Sequence, residues 1–151
     1  MDQFLKFITK LFLLSLVSTC LHAELGSASL SLGHGAWVKS SHALVSAKPL
    51  LYSVKKIITQ DDIEIREYIT ASGVVFGIAW SGESKPDLSW LLGNFFSRYQ
   101  LGLSQLPSAR SPVSINTTDF VLQTGGRMNQ FVGLAFLPTL APQGVSITDV
   151  Q

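Results

Sequence analysis

The chain of 151 residues carries 11 Lys and Arg against 10 Asp and Glu and is 46% hydrophobic but only 14% charged. That length suits one domain and is short for two. The apolar-rich composition argues against disorder, and a formal net charge of +1 provides no electrostatic footprint for a nucleic acid or an anionic membrane.

The N-terminus reads as a targeting segment. Lys6 and Lys10 supply a positive start, residues 11–17 form an apolar run broken by Ser15, and Leu21-His22-Ala23 offers a cleavage site after Ala23. Crossing a bilayer takes about 20 apolar residues, so residues 1–23 are expected to be a cleavable signal peptide and the mature protein to have no transmembrane segment. The expected location is the periplasm or the medium. Cys20 is the sole cysteine and precedes the cut, which leaves the mature chain without a disulfide, a thiolate nucleophile or a thiolate metal ligand. Val17-Ser18-Thr19-Cys20 loosely resembles a lipobox, and lipidation of Cys20 is the alternative; Thr19 stands where that pattern wants Gly, Ala or Ser. Loss of Asp2, Lys6 and Lys10 with the leader leaves 9 basic and 9 acidic residues.

Residues 24–47 are rich in Ser, Gly and Ala, with His34, Trp37 and His42 as their large polar or aromatic marks. Such a stretch buries too little surface to offset the entropy of ordering, so a flexible arm is expected. Alternation then predicts a strand over residues 50–59 and a second over 63–70, where Ile63, Ile65, Glu67 and Ile69 share one face and Glu64, Arg66, Tyr68 and Thr70 the other. Ala71-Ser72-Gly73 reverses the chain into a third strand, with Val74, Phe76, Ile78 and Trp80 on one side and Val75, Gly77 and Ala79 on the other. Neither face of this strand carries charge, which places it centrally, and its small-residue side has room for a close neighbour.

Asp87 stands where a helix N-cap belongs. Leu88, Leu91, Leu92, Phe95, Phe96 and Tyr99 recur at helical spacing and form one apolar stripe, with Gly93 expected where helix and strand backbones approach. Residues 100–118 read as a long connection. Two further strands, 119–124 and 127–137, are expected to be joined by a two-residue turn at Gly125-Gly126. The predicted architecture is α+β: an antiparallel sheet of about five strands, arranged as a three-strand meander, a helix and a hairpin, with one amphipathic helix packed on it. The domain is expected over 48–145 and a tail over 146–151.

Arg66-Glu67-Tyr68, Gly73, Val75-Phe76, Ala79-Trp80, Gly82, Pro86-Asp87-Leu88 and Leu91-Leu92-Gly93 resemble a family of exported bacterial proteins known only as a domain of unknown function. Gly125-Gly126-Arg127-Met128, Phe131, Gly133, Ala135 and Leu137-Pro138 continue the likeness, which spans residues 52–145. Glu83 departs from it, standing where the pattern has proline. The resemblance implies export and a single domain; it brings no activity, substrate or catalytic residue.

Several constellations mimic chemistry. Ser53-x-x-Lys56, Ser114-x-Asn116 and Gln123-Thr124-Gly125 follow the order of the penicillin-recognising enzymes' motifs. Ser53 and Lys56 fall in a predicted strand, however, where residues three apart face opposite sides, and Gln123 replaces the required lysine. His34 and His42 lie eight apart in the arm without an acidic neighbour, so neither a metal site nor a catalytic triad is expected. Gly33-His34-Gly35 does not open a helix after a strand, as a phosphate loop must. No cofactor is expected.

Glu67, set among isoleucines, must be paired or carry a raised pKa. An ion pair with Arg127 or Arg98, or an edge position at the sheet rim, is the expected resolution, ahead of a catalytic acid. Trp80, in line with Val74, Phe76 and Ile78, is expected in the core rather than as a stacking platform. The leading functional reading is a non-enzymatic binding or structural module of the cell envelope, with Arg66, Glu67, Trp80, Asp119 and Arg127 as candidate contacts to an envelope protein or a small ligand. The alternative is a small envelope hydrolase or isomerase in which Glu67, Asp119 and Arg66 or Arg127 do acid–base work. These readings separate on whether the charges converge. Strand addition to another protein's sheet is a third reading.

Overall fold

The computed structural model describes residues 25–28, 38–44, 51–106 and 112–151. The expected signal peptide, the lipobox around Cys20, and His34 lie outside them. Seven strands form one antiparallel sheet: β1 (Val38–Leu44), β2 (Tyr52–Thr59), β3 (Glu64–Thr70), β4 (Val75–Gly82), β5 (Val113–Asn116), β6 (Val121–Arg127) and β7 (Gln130–Phe136). Their spatial order is β1-β2-β3-β4-β7-β6-β5. The α+β architecture thus holds with seven strands rather than about five, the additions being the two edges.

Both missed strands have weak signals of their own. β1, with the sequence VKSSHAL, shows no apolar alternation, and it pairs along β2 from Val38 opposite Thr59 to Leu44 opposite Val54. The flexible arm expected over 24–47 therefore contains an edge strand. It also contains a clip: Leu25 is buried and its N–H donates to the Leu91 carbonyl, while Gly26 and Val75 exchange bonds with Val75 and Ser27 carbonyls. β5 alternates cleanly but is four residues long, too short to stand out inside the connection.

The helical segment begins as expected. The Asp87 carboxylate accepts from the backbone N–H groups of Ser89 and Trp90 and caps α1 (Leu88–Leu92). One helical segment follows, as expected, and it is interrupted at Gly93: that residue adopts φ 49° and ends α1, a 3-10 turn covers Gly93–Phe95, and α2 (Phe96–Ser104) completes the segment. Gly93 thus ends α1 at a positive φ that glycine adopts without a steric penalty. A close helix–strand approach occurs at Gly102, where a Cβ would lie 2.5 Å from Ile115 Cδ1.

The two faces of the sheet bury different cores. Leu91 and Leu92 from α1 pack with Ile57, Ile63, Ile65, Val75, Ile78, Trp80 and Leu122 on the helix face. On the opposite face, Tyr52, Val54, Tyr68, Phe76, Val121, Phe136 and Val150 pack together, and Ala141, Val145 and Ile147 of the C-terminal segment rest against them. The register shifts between Tyr68 and Ile69, so Tyr68 pairs with Gly77 while Ile69 pairs with Val75. That bulge moves Phe76 off the face predicted by simple alternation. Val75, Ile78 and Trp80 point to the helix, and Phe76 and Ala79 point away.

The expected turn at Gly125-Gly126 is also corrected. Both glycines lie within β6, opposite Val132 and Phe131, and the reversal falls at Met128 and Asn129, with Asn129 at φ 61°. Asparagine tolerates that left-handed conformation better than most residues. The expected tail is docked, with Val150 fully buried.

Candidate functional site

The C-terminal segment covers only part of the face away from the helices. Beside it, one row of side chains crosses five strands in register: Arg66 opposite Ala79, Ala79 opposite Leu134, Leu134 opposite Gln123 and Gln123 opposite Ser114. A second row runs from Ser81 through Val132 to Gly125. Ala79, Ser81 and Gly125 are too small to fill the space between the larger neighbours, which leaves a groove of about 630 Å³ bordered also by Pro112 and Gln151. Its floor is aliphatic, with Val132 51% exposed. Hydroxyl and amide groups of Ser81, Ser114 and Gln123 supply polar contacts, and the Arg66 guanidinium closes one end.

Arg66 is held in place there. Its Nε donates to Glu64 Oε1 at 2.8 Å, and Lys56 Nζ lies 2.6 Å from the other oxygen of the same carboxylate. Its NH1 donates to the main-chain oxygen of Gln151. The hydrogen bond and charge of Lys56, joined by those of Arg66, hold the Glu64 carboxyl below its ordinary value of 4.5 against the opposing effect of burial.

The other candidates do not gather with Arg66. Trp80 is buried on the helix face, and its ring occupies the volume that a Cβ on Gly133 would need; the neighbouring strand backbone, rather than a stacking surface, is what this position presents to the groove. Glu67 is buried on the same helix face. Its ion-pair partner is corrected from Arg127 or Arg98 to Lys55, directly opposite on β2, with Nζ 3.8 Å from Oε2. Arg98 instead pairs with Asp119 from α2 to the β5–β6 turn, and its guanidinium stands over the Phe95 ring. Arg127 is exposed at the β6–β7 hairpin, where it borders a separate hollow with Asp62, Glu83 and Gln130. Glu67 and Asp119 therefore share no cleft in which paired carboxylates could work on one substrate. Ser53 and Lys56, three apart on β2, likewise face opposite sides.

The match to the protein-family model for a protein of unknown function (DUF2844) covers residues 21–150. The chain belongs to this family. Neither the curated proteins nor the solved structures contain a match to it. DUF2844 membership assigns no chemistry to any residue. Among the described residues, no helix is long and apolar enough to cross a membrane, and no three His, Cys, Asp or Glu side chains gather as metal ligands.

Of the groove residues, Ser81, Val132 and Leu134 have no mark of their own in the sequence, and Ser114 and Gln123 stand out there only in the mimicked order of the penicillin-recognising motifs. One signal was present: β7 reads QFVGLAF, without charge on either face. Such a strand buries both sides or offers one to a partner.

The ion pairs and caps predict an acid limit. Asp119 is held below its ordinary value of 3.8, first by Arg98 and then by the Thr117 hydroxyl, and Asp87 is lowered chiefly by the Ser89 hydroxyl. For carboxylates depressed in the folded state, the stabilisation is complete above the unfolded values and is lost as pH falls through the folded ones. Urea midpoints are therefore expected to be flat from pH 7 to about 5 and to fall below about pH 4. A midpoint that rises on acidification would contradict this assignment.

Proposed function

We propose that the protein is an exported, non-enzymatic binding module of the cell envelope that takes a small, largely aliphatic ligand on the sheet face away from its helices. The groove across β4, β7, β6 and β5 carries this reading. Its volume of about 630 Å³ lies within the range of about 300–1,000 Å³ common for small-molecule sites, and an apolar floor with a few placed polar groups is their usual composition. Export is supported by the order of Lys6, Lys10, the apolar run and Ala23. The protein recovered from outside the cytoplasm is expected to begin at Glu24; a lipidated N-terminus at Cys20 would place it on a membrane instead.

Gly125 provides the test of the groove. A Cβ there meets nothing nearer than Pro112 Cβ at 3.8 Å, so the position accepts the first atom of a side chain without a close contact. Gly125→Leu is expected to change stability by less than about 1 kcal/mol while abolishing the thermal stabilisation given by whichever member of a panel of medium-chain aliphatic acids, alcohols and amides binds the parent. A ligand that stabilises parent and variant equally would show that the groove is not its site.

A further inference from the structure

We propose that residues 146–151 form a displaceable strap that occupies the inner half of the binding face, and that the ligand there is an aliphatic acyl compound whose carbonyl or carboxylate oxygen replaces the main-chain oxygen of Gln151. This rests on the groove reading and extends the site along the strands. The strap is preshaped by its own contacts: Ser146 and Asp149 form a capping box around the 3-10 turn Ile147–Asp149, and the Val150 N–H returns to the Ile147 carbonyl. It is seated by two features. Val150 fills the hollow over Gly77, where a Cβ would stand 2.9 Å from Val150 Cγ2. The Tyr68 hydroxyl accepts from the Gln151 N–H at 2.9 Å and donates to the Gln151 oxygen at 2.6 Å, and Arg66 donates to that same oxygen.

The strap belongs to no strand, so lifting it breaks local bonds and one side-chain clamp without opening the sheet. What it uncovers continues the groove. Tyr68 follows Arg66 on one face of β3, Gly77 precedes Ala79 on β4, and Phe136 follows Leu134 on β7. Tyr52, Tyr68 and Phe136 stand around Phe76, with ring centroids 5.6, 6.3 and 6.2 Å from its own. The seat therefore offers a branched-aliphatic hollow, aromatic walls and two donors converging on one oxygen. Val150 and the Gln151 oxygen occupy it as such a ligand would.

The full mature chain can be titrated with sodium octanoate while the Gly125 and Gly77 amide resonances are followed, the first reporting the groove and the second the seat. Val150→Ser is expected to bind octanoate about tenfold more tightly than the parent and to show the Gly77 shift clearly. A Gly125 shift with an unmoved Gly77 and unchanged affinity in Val150→Ser would overturn the strap and leave the groove standing. If neither glycine responds in either protein, the groove reading fails and the strap with it. Tyr68→Phe keeps the ring and removes both hydroxyl contacts: Val150 amide exchange should quicken at least tenfold without a gain in octanoate affinity, and unchanged exchange would overturn the proposal even if Val150→Ser does not fold.

Discussion

Leu92→Ala is expected to destabilise the domain by about 2–5 kcal/mol, the range for truncating a fully buried leucine. Leu92 is completely buried, and with Leu91 it is the part of the helical segment that enters the core between the isoleucines of β2 and β3 and the side chains of β4 and β6. The second half of the segment cannot compensate, because α2 contributes no fully buried residue. Phe95 is half-buried and stacks on Phe120 with ring centroids 5.7 Å apart, so Phe95→Ala should cost less than Leu92→Ala. Leu101, 61% exposed, should be close to neutral when truncated. Urea melts of the three variants test this order. A loss below about 1 kcal/mol for Leu92→Ala would show that the helices are peripheral to the fold.

Breaking the Lys55–Glu67 pair from the Lys55 side is expected to cost about 3–5 kcal/mol, and from the Glu67 side about 1–3 kcal/mol. The asymmetry follows from burial. Glu67 is 2% exposed and Lys55 21%. Lys55→Met removes the cation opposite a carboxylate that water cannot reach, whereas Glu67→Gln leaves a lysine able to turn toward solvent. The double variant should recover much of the loss, because two neutral side chains no longer require each other. A Glu67→Gln protein that melts above the parent would overturn the structural role and return Glu67 to the candidates for a site acid held neutral by burial.

Much of the central sheet was legible because its signals are local. β3 alternates cleanly, with Glu67 among isoleucines on the buried face, and Asp87 followed by leucines at helical spacing announces a capped helix. These patterns reflect backbone geometry and a two-sided environment, both of which a short window of sequence contains. The partner of Glu67 was not legible. Four arginines and several lysines could satisfy a buried carboxylate, and strand register chose Lys55 by placing it directly opposite. Pairing across strands is a non-local fact.

The same division runs through the candidate site. Composition and alternation determine that the fold is α+β and rich in apolar strands, that Trp80 belongs with its strand's apolar side chains, and that β7 has no charged face. Only the tertiary structure decided where strand pairing continues to β1 and β5, because an edge strand borrows its order from a neighbour and needs little pattern of its own. It also decided how far the C-terminal segment reaches across the sheet. Val150 can seat only because the β-bulge at Tyr68 sets Gly77 beneath it, and the groove from Arg66 to Ser114 lies open because the covering segment turns in toward Tyr68 before reaching it. Register, a bulge and the path of a covering strand-free segment are properties of residues distant in sequence, so no single stretch of the chain encodes them.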